Sequence, residues 1–432
     1  MAATIFALST GFAVSAIAIV RISGPEAATA LRAISRKPLP RARCAAVRKL
    51  ISDDGNVLDE ALTLYFPGPN SFTGDDLVEL HCHGGRAVVR AVLDQLGDLP
   101  GLTPAEPGEF TQRAFENGRM DLTEVEALSD VLEAETAAQL SQAHENFSGR
   151  LREAAGHWRL LLMEALAFIE ATIDWADEEV PEDVSEDVRS RIERLTGGMR
   201  ATLEGAGFAE RVRDGFEVAL VGAPNVGKSS LLNTLAGREV ALATAMEGTT
   251  RDIIELRLDV SGLPVTLLDM AGLRAGGDAV EVMGVDRARA RASEADLRVF
   301  VEAPGIPFPE DWVLLHQGGD LLISNKCDER DGGYMAVSAV TGEGLDRLMV
   351  QICHELSSRR KGDGLIVNKR QRAEVEAALH AVEAAQASVV GLGDEVTAEY
   401  LRLALRSLER LAGRTDPEEV LGAVFSRFCL GK

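Results

Sequence analysis

The sequence predicts a multidomain protein, α/β plus all-α, in which one α/β domain is inserted into a helical one. Three observations predict it. An apolar run from Phe216 to Val221 leads through the loop GAPNVGKS (Gly222–Ser229) into SLLNTLAG, the strand, loop and helix order of a parallel α/β sheet. Apolar residues recur at helical spacing on both sides of that domain, from Asp121 onward and again from about Asn368 to Gly413. Residues 1–118 instead alternate short apolar runs with Gly and Pro breaks, the pattern of a separate mixed α/β domain ending at PGEFTQRAFENG.

Within that first domain, Ala2 to Val20 carries no charge and invites a signal-peptide or membrane-span reading. Neither fits. No basic region precedes the apolar run, and the Ser-Thr-Gly break at Ser9–Gly11 leaves two strand-length pieces, so two buried strands are expected, the second ending at Arg21. His81-Cys82-His83 has no partner pair at zinc-ligand spacing and reads as a strand with alternating faces.

The first helical part, 119–213, begins with Leu122, Val125, Leu128 and Val131 and continues with Leu151, Trp158, Leu162, Leu166 and Ile169. The acidic run Asp174–Asp187, interrupted by Pro181, reads as a solvated connection between long amphipathic helices. A second helical part, 357–432, resumes after the inserted domain and must pack against the first.

The inserted domain, 214–356, carries the chemistry. GxxxxGK[ST] lets backbone N–H groups of Gly222–Gly227 cradle phosphates, places Lys228 on the β and γ oxygens and gives Ser229 to magnesium. GTTRD (Gly248–Asp252) can place Thr250 on magnesium and the γ-phosphate, and DMAG (Asp269–Gly272) ends the strand Val265–Leu268 with a carboxylate for the metal shell. NKCD (Asn325–Asp328) ends the strand Leu321–Ile323. Taken alone it reads equally as an Asn/Asp turn; in this order Asp328 accepts from guanine N1–H and the 2-amino group, with Asn325 and Lys326 holding the loop. SAVTG (Ser338–Gly342) closes the base pocket through the Ala339 N–H. The five elements together define a Ras-like P-loop GTPase domain binding GTP and GDP.

After the DxxG glycine stands Leu273, which cannot orient water as the Ras-type glutamine does, and no arginine finger is apparent. Two residues are candidates to complete the site. Asn225 offers a side-chain oxygen to a monovalent cation beside the β and γ phosphates. Glu281 is either a solvated surface carboxylate or a group that orients the attacking water.

With 432 residues, 46% hydrophobic and 5% aromatic, the chain suffices for two or three domains with cores. A net charge of −23 excludes a nonspecific nucleic-acid binder, so any RNA contact needs a local basic patch or a partner. Five cysteines, widely spaced, imply no disulfide framework and fit a reducing cytoplasm without membrane attachment.

The whole chain resembles the MnmE, or TrmE, family of tRNA-modification GTPases. VRISGP (Val20–Pro25), FPGPNSFTGDDLVELHCHGG (Phe66–Gly85), PGEFTQRAF (Pro107–Phe115), GAPNVGKSS, GTTRD, DMAGLR and the terminal FCLGK (Phe428–Lys432) carry the resemblance. It implies an N-terminal folate-binding and dimerisation domain, a discontinuous helical domain and a Ras-like G domain. The implied activity adds an aminomethyl or carboxymethylaminomethyl group to C5 of the wobble uridine of certain tRNAs, in a heterotetramer with the FAD-bearing partner MnmG (GidA). The one-carbon unit would come from a 5-formyl- or methylene-tetrahydrofolate. Carried over by position, Arg21, Glu79, Arg119 and Lys432 contact folate; Asn225, Thr244, Met246 and Thr249 hold potassium; Ser229 and Thr250 hold magnesium; Glu281 is the catalytic carboxylate. GTP contacts extend over Asn225, Val226, Gly227, Lys228, Ser229, Ser230, Thr244, Ala245, Met246, Glu247, Gly248, Thr249, Thr250, Asp269, Met270, Ala271 and Gly272, then Asn325, Lys326, Asp328, Ser338 and Ala339.

The sequence departs from the family pattern in places. Arg119 stands where lysine is usual, and Met270 where the usual motif is DTAG. The stretch 301–320 is short and Pro-rich, as if one helix were trimmed. Cys429 is either a reactive thiol or a small packing residue. Two rival readings are a ribosome-assembly GTPase of the Era or Der type, for which no basic RNA-binding domain is evident, and a non-catalytic folate-binding scaffold.

Overall fold

The computed structural model describes residues 3–174, 182–238, 240–242, 254–269, 289–307, 313–326, 335–388 and 394–414, and near the C-terminus 422, 424, 425, 428 and 431. The chain forms two compact units, Met1–Ser129 with Glu409–Lys432, and Asp130–Leu408.

The first unit is built on a six-stranded sheet in the order β3-β4-β5-β2-β1-β6. Its elements in chain order are β1 (Thr4–Leu8), β2 (Ser15–Ser23), α1 (Ala27–Ser35), β3 (Ala46–Ile51), β4 (Val57–Phe66), β5 (Leu77–Gly84), α2 (Arg86–Gly97) and β6 (Leu102–Pro104). Period-two alternation sends Phe6 and Leu8 of β1 into one core with Leu31 and Ile34 of α1 and Val92 and Leu96 of α2, while Ile5 and Ala7 join Phe110 on the other side. β1 is buried throughout, as expected, but β2 is not: Ser15–Ile17 are exposed and the strand runs on to Ser23. The reason is that β1 covers only Val20–Ser23, so the first half of β2 has a neighbour on one side alone. β5 alternates as expected, with Cys82 inward and His83 outward. Burial, aided by the nearby Asp59 charge, pushes the Cys82 thiol up to about 12.

Two more helices, α3 (Glu109–Glu116) and α4 (Leu122–Glu133), follow. Phe425 and Phe428 pack with Val125, Phe115 and Met120, and Gly108 turns at φ +76° where a Cβ would lie 2.5 Å from the Phe425 carbonyl. The chain then reaches β1: the Ser9 hydroxyl donates to the Gly431 carbonyl at 2.9 Å.

In the second unit, α5 (Ala137–Phe147), α6 (Arg150–Asp174) and α7 (Glu182–Asp214) precede the inserted domain. Thr136 and Gln139 form a capping box that starts α5. Leu151, Trp158, Leu162 and Ile169 of α6 are buried, as their spacing predicts, and Leu166 is half-buried. The acidic run departs from expectation. Residues 175–181 lie outside the described residues, but α7 begins at Glu182, so 182–187 are helix rather than loop. A helix beginning at Glu182 fits the sequence, because proline disfavours helix in the residue before it and is tolerated at a helix start.

The inserted domain holds β7 (Phe216–Val221), α8 (Lys228–Ala236), β8 (Ile254–Val260), β9 (Leu263–Asp269), β10 (Leu297–Glu302), β11 (Leu321–Ser324), β12 (Met335–Ala336) and α9 (Leu345–Ser357). Its sheet runs β12-β11-β10-β7-β9-β8, parallel throughout except for the antiparallel edge strand β8. Apolar side chains cover both faces: Val218 and Leu220 enter the larger core, Ala219 and Val221 a smaller one with Phe300. β7 lies centrally between β10 and β9, so the strand order reverses beside it, and the crevice at the carboxyl ends of these strands is the place for a ligand. Part of the Pro-rich stretch, 308–312, lies outside the described residues.

Helices α10 (Lys369–Ser388) and α11 (Asp394–Leu411) complete the unit. Before α10, the 361–364 turn crosses α7 backbone against backbone: a Cβ on Gly205 would lie 2.8 Å from the Gly364 nitrogen, and one on Gly362, at φ +63°, 2.6 Å from the Gly205 nitrogen. Thr202 donates to Asp363 at the same crossing, at 3.1 Å. Among the described residues no helix is long and apolar enough to cross a membrane.

Candidate guanine-nucleotide site

The loop after β7 is shaped by close backbone approaches. A Cβ on Gly222 would lie 2.3 Å from the Val301 carbonyl, and one on Gly227, at φ +97°, 2.3 Å from Asn325 Nδ2. Only glycine fits either place. Asn225 also takes a left-handed backbone, φ +65°, which asparagine tolerates better than other side-chain-bearing residues. α8 then begins at Lys228, directing its unpaired N–H groups back at the loop.

Lys228 is buried, its Nζ donating to the carbonyls of Gly222 at 2.7 Å and Ala223 at 2.9 Å. Burial holds its pKa below the usual lysine value, partly opposed by the Asp269 charge. Asp269, 1% exposed at the end of β9, accepts from the Ser229 hydroxyl at 2.5 Å. A hydroxyl and a carboxylate brought together at the phosphate end are the hard oxygen donors that magnesium prefers.

The base end is organised by Asn325. Its N–H donates to the Glu302 carbonyl at 2.8 Å, its Nδ2 to the Val226 carbonyl at 2.8 Å, and its Oδ1 accepts from the Ala339 N–H at 3.2 Å. The Ala339 N–H, expected to face the base, thus bonds Asn325 here. The Ser338 hydroxyl accepts from the Thr341 N–H at 3.2 Å, closing its turn. Lys326 follows with φ +64°. The structure therefore groups Asn225, Val226, Gly227, Lys228, Ser229, Ser230, Asp269, Asn325, Lys326, Ser338 and Ala339 around one crevice. Thr244, Ala245, Met246, Glu247, Gly248, Thr249, Thr250, Met270, Ala271, Gly272, Leu273, Glu281 and Asp328 lie outside the described residues.

In the first unit, Arg21 and Glu79 are directly opposed across β2 and β5, with Arg21 Nε 3.0 Å from Glu79 Oε1. His81 Nε2 shares the same carboxylate at 3.2 Å. Arg21 also lies over the Phe72 ring, 5.7 Å from its centroid. Asn117 donates to the Thr73 carbonyl at 2.7 Å, which brings the segment leading to Arg119 to the same 72–73 loop. In the sequence His81 stands out only as part of a rejected zinc pattern and Phe72 only within the Phe66–Gly85 segment; neither is placed there beside Arg21 and Glu79. The alternation of β5 already places His81 on the face of Glu79, whereas nothing in the sequence pointed to Phe72. Cys429 and Lys432 lie outside the described residues, though the described Gly431 reaches Ser9.

A parallel sheet with an antiparallel edge, a glycine loop feeding a helix, and serine, aspartate and asparagine converging on that loop define a Ras-like P-loop GTPase. The family follows from the comparisons. A family model described as the MnmE helical domain matches residues 122–429, and one described as the GTP-binding protein TrmE N-terminus matches residues 4–119. A protein of Dinoroseobacter shibae named tRNA modification GTPase MnmE is 47% identical over 435 residues, covering 99% of this chain and 100% of the relative. One of the same name from Cereibacter sphaeroides is 48% identical over 431 residues, with the same coverage. A crystal structure of the G domain of the T. maritima FeoB iron transporter is 27% identical, covering 32% of this chain and 98% of that one, at a TM-score of 0.25. The chain belongs to the MnmE family.

Proposed function

We propose that this protein hydrolyses GTP in the service of tRNA modification, adding with an FAD-bearing partner of the MnmG type an aminomethyl or carboxymethylaminomethyl group to C5 of a wobble uridine. The observation that carries this reading is the 47% and 48% identity, over the whole length of the relatives, to proteins named tRNA modification GTPase, in a chain where the Ser229 hydroxyl bonds Asp269 beside the buried Lys228 of the phosphate loop. Segments 1–118, 119–213, 214–356 and 357–432 act as folate-binding and dimerising domain, first helical part, G domain and second helical part. The protein works in the cytoplasm as a homodimer, paired with its partner as a heterotetramer.

In the nucleotide site, Lys228 neutralises the β and γ phosphates, Ser229, Thr250 and Asp269 hold magnesium, and Asp328 reads guanine. Asn225, on the exposed left-handed turn of the loop, gives its side-chain oxygen to potassium with Thr244, Met246 and Thr249; the bound cation supplies positive charge at the β–γ bridge. Glu281 orients the attacking water. In the first unit, Arg21 and Glu79, with Arg119 and Lys432, bind the tetrahydrofolate that supplies the one-carbon unit; Cys429 lies in the same terminal motif. The opposed charges of Arg21 and Glu79 suit a ligand with an anionic tail and a donor-rich ring.

Nucleoside analysis of tRNA from cells lacking the protein tests the function. Loss of the modified wobble uridine, restored by the intact gene, is expected; an unchanged nucleoside profile would sink it. The cation assignment has its own test. Hydrolysis at saturating GTP should run about three orders of magnitude faster in potassium than in sodium at matched ionic strength, and Asn225→Ala should abolish the difference. Equal rates in the two salts would remove potassium from the mechanism.

A further inference from the structure

The turn Ser338–Gly342 is held from outside by two residues of or beside α8 that no motif names. Thr234 donates from its hydroxyl to the Ala339 carbonyl at 2.6 Å, closer than its contact to the Ser230 carbonyl one helical turn back, at 2.9 Å. Arg238, just past the end of α8, donates from Nη2 to the Gly342 carbonyl at 3.1 Å and pairs through Nη1 with Asp346 in the first turn of α9. Both polar groups of Ala339 are thereby assigned, the carbonyl to Thr234 and the N–H to Asn325 Oδ1. Asn325 in turn bonds Val226 of the phosphate loop, which leads directly into α8. The contacts form a closed ring through loop, Asn325, Ala339, Thr234 and helix.

We propose that Thr234 and Arg238 are positioning residues for base recognition, setting the orientation of Ala339 so that its N–H meets the 6-oxygen of guanine. The proposal rests on the nucleotide reading given above. Its physical content is that one helix serves both ends of the ligand. Lys228 and Ser229 at the start of α8 meet phosphate and metal, and the end of the same rigid rod fixes the turn that reads the base. The Asn325 bond to the Ala339 N–H, at 3.2 Å, is long enough for a second acceptor to share that donor. The Ala339 N–H belongs to the Ser338–Ala339 peptide; Thr234 clamps the following peptide through its carbonyl and Arg238 the end of the turn, which together restrict the Ala339 backbone angles that set the N–H direction. A nucleotide with an amino group at position 6 presents a donor to that donor and is refused.

The decisive probe is 6-thioguanosine triphosphate, which keeps the N1–H and the 2-amino group of guanine and replaces the 6-oxygen with sulfur, a weaker acceptor. Xanthosine triphosphate, altered at position 2, reports on Asp328 instead. With the full-length chain, Thr234→Val should raise the Kd for GDP and GTP together by roughly 10-fold, the worth of one lost buried hydrogen bond. It should narrow the preference for GTP over 6-thioguanosine triphosphate, and leave both the rejection of xanthosine triphosphate and kcat at saturating GTP unchanged. Thr234→Ser should restore the original preference. Arg238→Ala, at a half-exposed position, should act in the same direction, with Arg238→Lys recovering part of the loss. A Thr234→Val or Arg238→Ala protein that is less stable or binds more weakly, yet keeps the original ratio between the two nucleotides, would overturn the proposal. If the unaltered protein failed to prefer GTP over ATP, the nucleotide reading would fall first.

Discussion

Two arginine–carboxylate pairs, one from each sheet, sit in opposite surroundings. In the inserted domain, Arg298 and Asp320 are 1% and 0% exposed, 2.8 Å apart, and the guanidinium also donates to the Ala295 carbonyl and to Gln317. In the first unit, Arg21 and Glu79 are 26% and 16% exposed on the partly covered face of a mostly antiparallel sheet. A parallel sheet covered on both faces admits a charge on a strand only if every polar atom is satisfied internally. A mostly antiparallel sheet with a partly covered face can keep its charged side chains in reach of a ligand. The difference teaches that one pair is part of the core and the other stands in reach of solvent, where the proposed folate ligand would meet it, although both are arginine beside carboxylate.

Asp320→Asn should produce the largest effect. It leaves a buried guanidinium without its counter-charge, and the domain should lose about 3–5 kcal/mol, read by hydrogen exchange of β10 under increasing urea. A loss below about 1 kcal/mol would mean that the pair is not the internal fixture its burial implies. Next comes Gly227→Ala. A Cβ there meets Asn325 Nδ2 at 2.3 Å on a left-handed backbone, so GDP affinity should fall on the order of 100-fold while folate binding is untouched. Wild-type affinity for GDP would show that the loop can move aside. Glu79→Ala should be smallest in stability, under about 1 kcal/mol, because the pair is partly solvated. Calorimetric titration with 5-formyl-tetrahydrofolate should nonetheless show binding lost. Unaltered folate affinity would place the ligand elsewhere.

The same contrast explains what could be read from the sequence. The functional groups of the parallel sheet lie at strand ends and in the loops that follow, so Gly222–Ser229, Asp269 and Asn325 each appear as a contiguous motif beside an apolar run. β7 was legible to the residue, whereas α8 begins at Lys228, inside the loop motif, rather than at Ser230. Arg21 and Glu79 sit in mid-strand, 58 positions apart, and meet only because β2 pairs with β5 in one register. No local spacing announces such a pair, and family resemblance alone brought it forward. β8 and β12 went unread, the first an edge strand whose alternation includes charged residues, the second only two residues long. The helical start at Glu182 was missed because acidic composition suggested solvent, and composition carries no information about which side of Pro181 begins to coil. Thr234 and Arg238 belong to no motif; their partners are 104 and more positions away.

The crossing at Gly205 and Gly362 has a consequence for how such a chain could be assembled or edited. The path leaves the helical layer at the end of α7, makes the whole excursion through the inserted domain, and returns to touch the very helix it left, main chain against main chain. An excursion that returns to Gly205 of the helix it left at Asp214, about 14 Å along the axis, places little stretch on its host. The two helical segments could be joined by a link of a few residues without being pulled apart, and a different domain with neighbouring ends could be spliced into the gap. The two glycines are the seam of that splice, and any side chain added there would push the seam open.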